Sequence, residues 1–471
     1  MAEPVYLTSE VRRVEALAAG SRPPLMERAG LAAADLAAVL ASERGKDILV
    51  LAGPGNNGGD ARIAAGILQE RFFRVTTLGA ADAHALPAGK PWALVIDGLF
   101  GIGLAREVSG DYARLVDYAN SQSCNVLALD IPSGLESDTG RVLGTAVRAT
   151  HTITFIAQKP GLLTLDGPDL CGKISVAGLG LDPGGLLAPS GWVAGPGLFP
   201  LALKPRPRNF HKGNAGSIAV IGGAAGMVGA ALLAGRAALR MGAGKVFVGL
   251  LDRQAPGFDP GALELMLRHP DEVLGLDLDA LVIGPGLGEG ERAETLLGAV
   301  LASEMPCVLD ADALNLLAQN PDLRESCLRR TADTLITPHP AEAARMLGTN
   351  TREIQNDRLG AARLLRERFN AHVVLKGNGS VLFAADGRWF INTSGNPGMA
   401  SAGMGDVLAG ILGAMLGQGL GGPAALVLGT HLHGLAADDC VARGIGPVGL
   451  TAGEVADGAR RVWNAWLAQP G

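Results

Sequence analysis

Short apolar runs that end in a glycine-rich turn or an aspartate, each followed by a helix-like stretch, recur along both halves of this chain. Asp47-Ile48-Leu49-Val50-Leu51-Ala52 leads into Gly53-Pro54-Gly55-Asn56-Asn57-Gly58-Gly59-Asp60, and a helix is predicted from about residue 61 to 71. Arg74-Val75-Thr76-Thr77-Leu78, Ala93-Leu94-Val95-Ile96-Asp97 and Val126-Leu127-Ala128-Leu129-Asp130 follow. Runs this short, without polar alternation and separated by helices, fit parallel strands buried on both faces and joined by crossovers. The first half is therefore an α/β doubly wound sheet, and opening helices predicted over residues 9–19 and 24–42 would cover one face.

The second half restarts the pattern with Ser217-Ile218-Ala219-Val220-Ile221-Gly222-Gly223. Further strands are predicted at Lys245–Leu250, Ala280–Ile283, Cys307–Leu309, Thr334–Ile336 and residues 373–375, giving a second three-layer α/β/α domain. Between residues 181 and 210 the pattern gives way to Pro183, Pro189, Pro196, Pro200, Pro205 and Pro207, which are expected to break any regular element. This divides the chain into domains at 1–185 and 209–471 with a linker at 186–208.

Composition narrows the function. A net charge of -6 lacks the basic footprint of a nucleic-acid binder. The five cysteines are dispersed with no C-x-x-C pair, which reads as reduced thiols in a cytoplasmic protein. Met1 to Glu10 is polar, so no signal peptide is expected. Residues 218–235 and 407–430 lack charge, but both are interrupted by glycines, and buried strand–loop–helix structure is expected rather than a membrane span.

Each half carries an anion-handling signature. Gly58-Gly59 would let backbone N–H groups approach a phosphate at a helix N-terminus, although a tight turn without ligand uses glycines too. Asn57, Asp97 and the Ser133 of Asp130-Ile131-Pro132-Ser133-Gly134 offer oxygen-only donors for a weakly held cation. Gly101-Ile102-Gly103-Leu104-Ala105-Arg106-Glu107 adds a second glycine-rich loop, whose Arg106 would pair with a phosphate or with Glu107 in a solvated ion pair. In the second half, Lys376-Gly377-Asn378-Gly379-Ser380 follows an apolar strand, and Ala402-Gly403-Met404-Gly405-Asp406 opens a long apolar helix. Asp406 beside glycine N–H donors suits a base taking a proton from a hydroxyl during phosphoryl transfer. An Asp in a first turn also serves simply to complement the helix dipole.

These runs resemble known families. Residues 52–60, 95–104 and 128–135, with Thr154-Phe155-Ile156-Ala157-Gln158-Lys159-Pro160-Gly161, are similar to NAD(P)H-hydrate epimerase, a Rossmann-like domain. That resemblance implies substrate binding by Asn56, Asn57, Gly58, Gly59, Asp60 and by Gly101, Ile102, Gly103, Leu104, Ala105, Arg106 and Glu107. It also implies K+ on Asn57, Asp97 and Ser133, and Asp130 at the chemistry of the nicotinamide ring. Lys159 is either a second participant or a lysine that merely precedes a Pro-Gly turn.

The second half resembles the ribokinase-like superfamily and, within it, ADP-dependent NAD(P)H-hydrate dehydratase. The supporting runs are His211-Lys212-Gly213-Asn214-Ala215-Gly216-Ser217, Ile283-Gly284-Pro285-Gly286-Leu287-Gly288, Leu309-Asp310-Ala311-Asp312-Ala313-Leu314, Thr337-Pro338-His339-Pro340-Ala341-Glu342 and Asn396-Pro397-Gly398-Met399-Ala400. Carried over, Lys376, Gly377, Asn378, Gly379, Ser380 and Gly405 would bind the adenine nucleotide. Ala230, Gly286, His339 and Asp406 would contact the hydrated nicotinamide. Asp310, Asn315 and Glu342 would help with phosphate and Mg2+. Met404 stands where the family usually has Thr or Ser, Ser380 where Thr is usual, and Ala341 where Gly is usual.

The resemblance implies a bifunctional repair enzyme. The first domain would interconvert the R and S epimers of hydrated NADH or NADPH, and the second would dehydrate the S epimer with ADP and Mg2+. Homologous domains form dimers and tetramers, so a homo-oligomer is expected. Two other readings compete: a ribokinase-like small-molecule kinase with an appended nucleotide-binding module, and a first domain that is a non-catalytic sensor.

Overall fold

A computed structural model of the chain describes residues 3–42, 44–203 and 205–468. The chain separates into two compact units, Glu3–Trp192 and a second beginning at Val193.

In the first unit six strands lie in the order Arg74–Leu78, Asp47–Ala52, Leu94–Gly98, Asn125–Leu129, His151–Phe155, Lys173–Ala177, all parallel. The period-2 alternation of each strand feeds two separate cores. Ile48, Val50, Leu94, Ile96, Leu127 and Leu129 pack with the small residues of helices Leu25–Ser42 and Asn56–Glu70, including Ala33, Ala37, Ala61 and Ala64. Leu49, Leu51, Val95 and Val126 pack on the opposite face with Leu115, Val116 and Ala119 of helix Gly110–Asn120. The opening helices, Thr8–Leu17 and Leu25–Ser42, cover one face as expected. From Asp47–Ala52 the chain steps outward to Arg74–Leu78 and then crosses to Leu94–Gly98. The C-terminal ends of Asp47–Ala52 and Leu94–Gly98 therefore flank the topological switch point, where such sheets open a crevice.

Three local details differ from the sequence expectation. The helix after the first strand begins at Asn56 rather than near residue 61, so Gly58 and Gly59 sit inside its first turn. Close packing explains this: a Cβ on Gly58 would lie 1.9 Å from the Gly53 carbonyl oxygen. Asp130 falls just beyond its strand, with φ +66°. The proline-rich stretch is not devoid of regular structure. Pro183–Leu186, Pro196–Leu198 and Pro200–Ala202 are short helical turns, each with proline at its start, where no N–H is needed.

In the second unit the strands run Met266–Arg268, Lys245–Leu250, Ser217–Gly222, Ala280–Ile283, Cys307–Leu309, Thr334–Ile336, His372–Leu375, all parallel. Ser380–Phe383 and Trp389–Asn392 then add antiparallel. The uncharged stretch at 407–430 divides into helices Met404–Gly417 and Gly422–Ala442, and no described helix is long and apolar enough to cross a membrane. Helix Met404–Gly417 is clamped between layers through its glycines. A Cβ on Gly410 would sit 2.1 Å from the Ala234 carbonyl oxygen, and one on Gly413 would sit 2.3 Å from Val282 Cγ2.

Gly410→Val should therefore destabilise the second unit by about 1–3 kcal/mol or more through overpacking. Denaturant unfolding should show a lowered midpoint. Gly453→Val, where an added Cβ would meet no heavy atom within 4 Å, should cost far less.

Candidate active sites

The first unit encloses a cavity of about 630 Å³ at its switch point. It is lined by Asn56, Asn57, Asp60, residues 101–106 and Asp130, together with Lys159. Gly58 and Gly59 do not line it. Gly58 packs on Gly53, and a Cβ on Gly59 would lie 2.9 Å from Met26 Sδ. Glu107 is exposed outside the cavity, and among the described residues Arg106 forms no salt bridge with it.

Asp130 and Lys159 are joined inside this wall. The Lys159 ammonium is wholly buried and donates to Asp130 Oδ1 at 2.5 Å, Thr154 Oγ1 at 2.8 Å and the Phe155 carbonyl at 2.7 Å. Its three hydrogens are thus all used, which decides against a surface lysine. The Phe155 N–H and the Thr154 hydroxyl reach the same Oδ1 at 3.3 and 3.4 Å. Every hydrogen bond found on this carboxylate goes to Oδ1, leaving Oδ2 to the cavity that Asp130 lines.

Beneath the cavity, Asp97 is fully buried and accepts from the Ser133 hydroxyl at 2.6 Å, the Ser133 N–H at 2.8 Å and the Leu99 N–H at 3.2 Å. Burial pushes its carboxyl up to about 6 against the opposing pull of those bonds. Asn57 is 7 % exposed, and both amide atoms are buried without a partner. An orphaned buried polar group costs about 1–3 kcal/mol. A cation held by Asn57 Oδ1, Asp97 and Ser133 would relieve the acceptor and offset the buried negative charge, so these oxygen donors fit a hard cation.

The second unit gathers its charged groups at the C-terminal ends of Cys307–Leu309, Thr334–Ile336 and His372–Leu375. Lys376 Nζ donates to Asp310 Oδ1 at 3.0 Å and lies 3.8 Å from Glu342 Oε2. Burial works against the Lys376 charge, but Asp310 and Glu342 outweigh it and hold the ammonium above its ordinary range. Thr337 Oγ1 also donates to Asp310 Oδ1, at 2.7 Å. A Cβ on Gly405 would lie 3.3 Å from Lys376 Nζ and 3.4 Å from Asp310 Oδ2, so the glycine brings the helix start onto the lysine. One residue on, Asp406 is pushed up to about 7 by burial and then by Asp310, with Lys376 pulling the other way.

His339 caps helix Pro340–Leu347. Its Nδ1 accepts from the Ala341 and Glu342 N–H groups at 3.1 and 3.3 Å, which places the proton on Nε2, 3.3 Å from Glu342 Oε1. Burial, then Lys376, lower its pKa, in keeping with a neutral ring. Gly286 has φ +59°, and a Cβ there would meet the Met227 carbonyl oxygen at 2.6 Å and Ala230 Cβ at 3.3 Å, so Ala230 and Gly286 share one patch. Ser380 Oγ closes the turn of its own loop through the Gly377 N–H and carbonyl. Met404 is buried, so the helix start offers backbone donors only. Asn315 Oδ1 accepts from Arg345 Nε at 2.9 Å, which makes it a partner of that arginine.

Sequence reasoning missed several neighbours. Arg12 and Glu15 line the first cavity from helix Thr8–Leu17; their positions next to the buried Val11 and Val14 were the available signal. Asp438 holds the 395–396 loop through the Gly395 N–H and Asn396 Nδ2, both at 2.9 Å. No pattern in the sequence links those positions.

Because the folded chain holds the Asp406 proton well above the ordinary carboxylate value of 3.8, the folded state binds more protons than the unfolded one between there and about 7. Its contribution to stability is full at the acid end of that window and is lost as pH rises through it. Asp406→Asn should weaken the fall in the second unit's unfolding midpoint between about pH 4 and about pH 7.

Comparison with known proteins matches residues 218–456 to the NAD(P)H-hydrate dehydratase family, and residues 23–90 and 79–161 to the family described as YjeF-related protein N-terminus. The bifunctional NAD(P)H-hydrate repair enzyme Nnr of Coxiella burnetii is 38% identical over 95% of this chain and 97% of its own length. The enzyme of the same name from Escherichia coli is 38% identical over 98% of this chain and 94% of its own. Among solved structures, the ADP/ATP-dependent NAD(P)H-hydrate dehydratase of Bacillus subtilis, co-crystallised with ATP/Mg2+, is 31% identical with a TM-score of 0.51, covering 56% of this chain and 94% of that one. With both halves matched and relatives this similar along nearly the whole length, the chain belongs to the bifunctional NAD(P)H-hydrate repair enzymes.

Proposed function

We propose that the two sites act in sequence on one damaged cofactor. The chain is a bifunctional NAD(P)H-hydrate epimerase and ADP-dependent NAD(P)H-hydrate dehydratase. The observation that carries this reading is the presence, in one chain, of both family matches, each over a unit with its own polar site. Residues 1–185 carry the epimerase, 186–208 the linker and 209–471 the dehydratase.

In the second unit the hydroxyl at C6 of the S hydrate takes the phosphoryl group of ADP. Asp406 accepts the hydroxyl proton as the new O–P bond forms and AMP leaves. The N–H groups of Gly403 and Gly405 and the Lys376 ammonium receive the charge on the transferring group. The ring nitrogen's lone pair then expels phosphate, and loss of a proton from C5 restores the dihydronicotinamide. Lys376, Gly377, Asn378, Gly379, Ser380 and Gly405 hold the nucleotide, and Ala230, Gly286, His339 and Asp406 hold the hydrate. Asp310 and Glu342 would help to hold Mg2+, which when bound would neutralise charge on the nucleotide phosphates.

In the first unit, Asn56, Asn57, Asp60 and residues 101–106 surround the hydrate, with Gly58, Gly59 and Glu107 supporting the two loops. Asp130 acts at the ring, and Asn57, Asp97 and Ser133 would hold K+, which when bound would supply a fixed positive charge against the buried carboxyl of Asp97. The protein is a cytoplasmic homo-oligomer.

Purified protein given an R/S mixture of NADH hydrate with ADP, Mg2+ and K+ should regain the full near-ultraviolet absorbance of NADH. Asp130→Asn should stop at the S fraction apart from slow spontaneous epimerisation. Asp406→Asn should lower the rate on S by on the order of 10²–10⁴. No absorbance gain by the wild type would end the repair reading.

A further inference from the structure

Three carboxylates line the first cavity, Glu15, Asp60 and Asp130, and the surroundings of the two aspartates are opposite in kind. Asp130 is bonded to a buried ammonium, a main-chain N–H and a hydroxyl, all on Oδ1. Asp60 stands one helical turn beyond Asn57 and is 8 % exposed. No hydrogen bond or ion pair to its carboxylate is found among the described residues. The Asn57 amide is also without a bonding partner, so Asn57 does not hold Asp60. The charged neighbours around this wall are Asp130 and Lys159 from the strand-end loops, Arg106 from the 101–106 loop, and Arg12 and Glu15 from helix Thr8–Leu17. Lys159 has already committed its hydrogens to Asp130, Thr154 and Phe155. A buried carboxylate with no donor keeps its proton, whereas one bonded to an ammonium stays ionised.

We propose that Asp60 is a further catalytic residue of the first unit, the general acid that hands its proton to the C6 hydroxyl of the hydrate while Asp130 remains ionised. This rests on the epimerase reading of that unit. The Asp60 O–H bond breaks and its proton goes to the hydroxyl oxygen. The C6–O bond breaks, the ring nitrogen's lone pair forms the N1=C6 bond, and water leaves. A water then adds to the other face of the planar C6, and the N1=C6 pair returns to nitrogen. The incoming water's proton goes to the free Oδ2 of Asp130, and exchange through solvent returns it to Asp60. No electrons or protons are gained overall, and the ionised Asp130 offsets the charge of the cationic ring in between. Burial, then Asp130 and Glu15, push the Asp60 carboxyl up to about 7, which suits an acid working near neutrality.

The test is Asp60→Asn in the full chain, with R hydrate supplied and S removed by the second unit in the presence of ADP. The wild type should lose R turnover as pH rises above about 7. Asp60→Asn should lower kcat on R by on the order of 10²–10⁴, leave KM within a few-fold, and abolish that alkaline loss. Asp60→Glu, which retains an acid, should recover part of the rate. Thermal unfolding of the first unit should be unchanged or improved in Asp60→Asn, because a buried unpaired carboxyl is removed. A variant with wild-type kcat and a raised KM would make Asp60 a binding group and overturn the proposal. Wild-type R turnover no faster than spontaneous epimerisation would instead overturn the epimerase reading itself.

Discussion

Parallel strands cannot be joined by hairpins, so each must return through a crossover, and all their C-terminal ends emerge on one edge. That constraint organises both units. In the first, the loops after Asp47–Ala52, Leu94–Gly98 and Asn125–Leu129 deliver Asn57, the residues from 101 to 106, and Asp130 to one cavity. In the second, the loops after Cys307–Leu309, Thr334–Ile336 and His372–Leu375 deliver Asp310, Glu342 and Lys376. Side chains far apart in sequence meet because strand order, not chain proximity, decides which loops are neighbours.

The two sites share an electrostatic plan. Each has a lysine just past a strand that bonds one aspartate, Lys159 to Asp130 and Lys376 to Asp310. Each also has a second aspartate near the start of a helix, Asp60 or Asp406, pushed up to about 7 by burial and carboxylate neighbours. One acid of each pair is bonded to an ammonium, and the other titrates near neutrality, where it can give a proton or take one. A proton donor or acceptor is thereby obtained near neutrality from residues whose ordinary titration lies several units lower.

Much of this was legible because burial on both sheet faces writes itself into sequence as uninterrupted apolar runs. Asp47–Ala52, Lys245–Leu250 and Ala280–Ile283 were read at their observed bounds. Lys173–Ala177 escaped because it is an edge strand, with Lys173 and Val176 exposed and no apolar run to mark it. Ser380–Phe383 begins inside a run that reads as a phosphate loop, and its antiparallel pairing with Trp389–Asn392 breaks the alternating rhythm. The helix start at Asn56 was hidden by two glycines of poor intrinsic propensity, and only the approach to Gly53 makes helix the better solution. Site residues that rest on glycine turns and strand-end acids were visible. Glu15 and Arg12 were not, because helix positions facing a cavity look like any other polar face, and Asp438 was not, because nothing in the sequence ties it to the 395–396 loop it holds.

The left-handed backbone at Asp130 has a consequence for how this position can change. Among residues with a side chain, aspartate and asparagine tolerate φ +66° best, and only glycine is freer. The geometry that turns the carboxylate toward Lys159 therefore also restricts its replacements. A lineage that no longer needed the first activity would drift at this position toward Asn or Gly. Alanine, the usual token of lost function, would bring a folding penalty unrelated to chemistry.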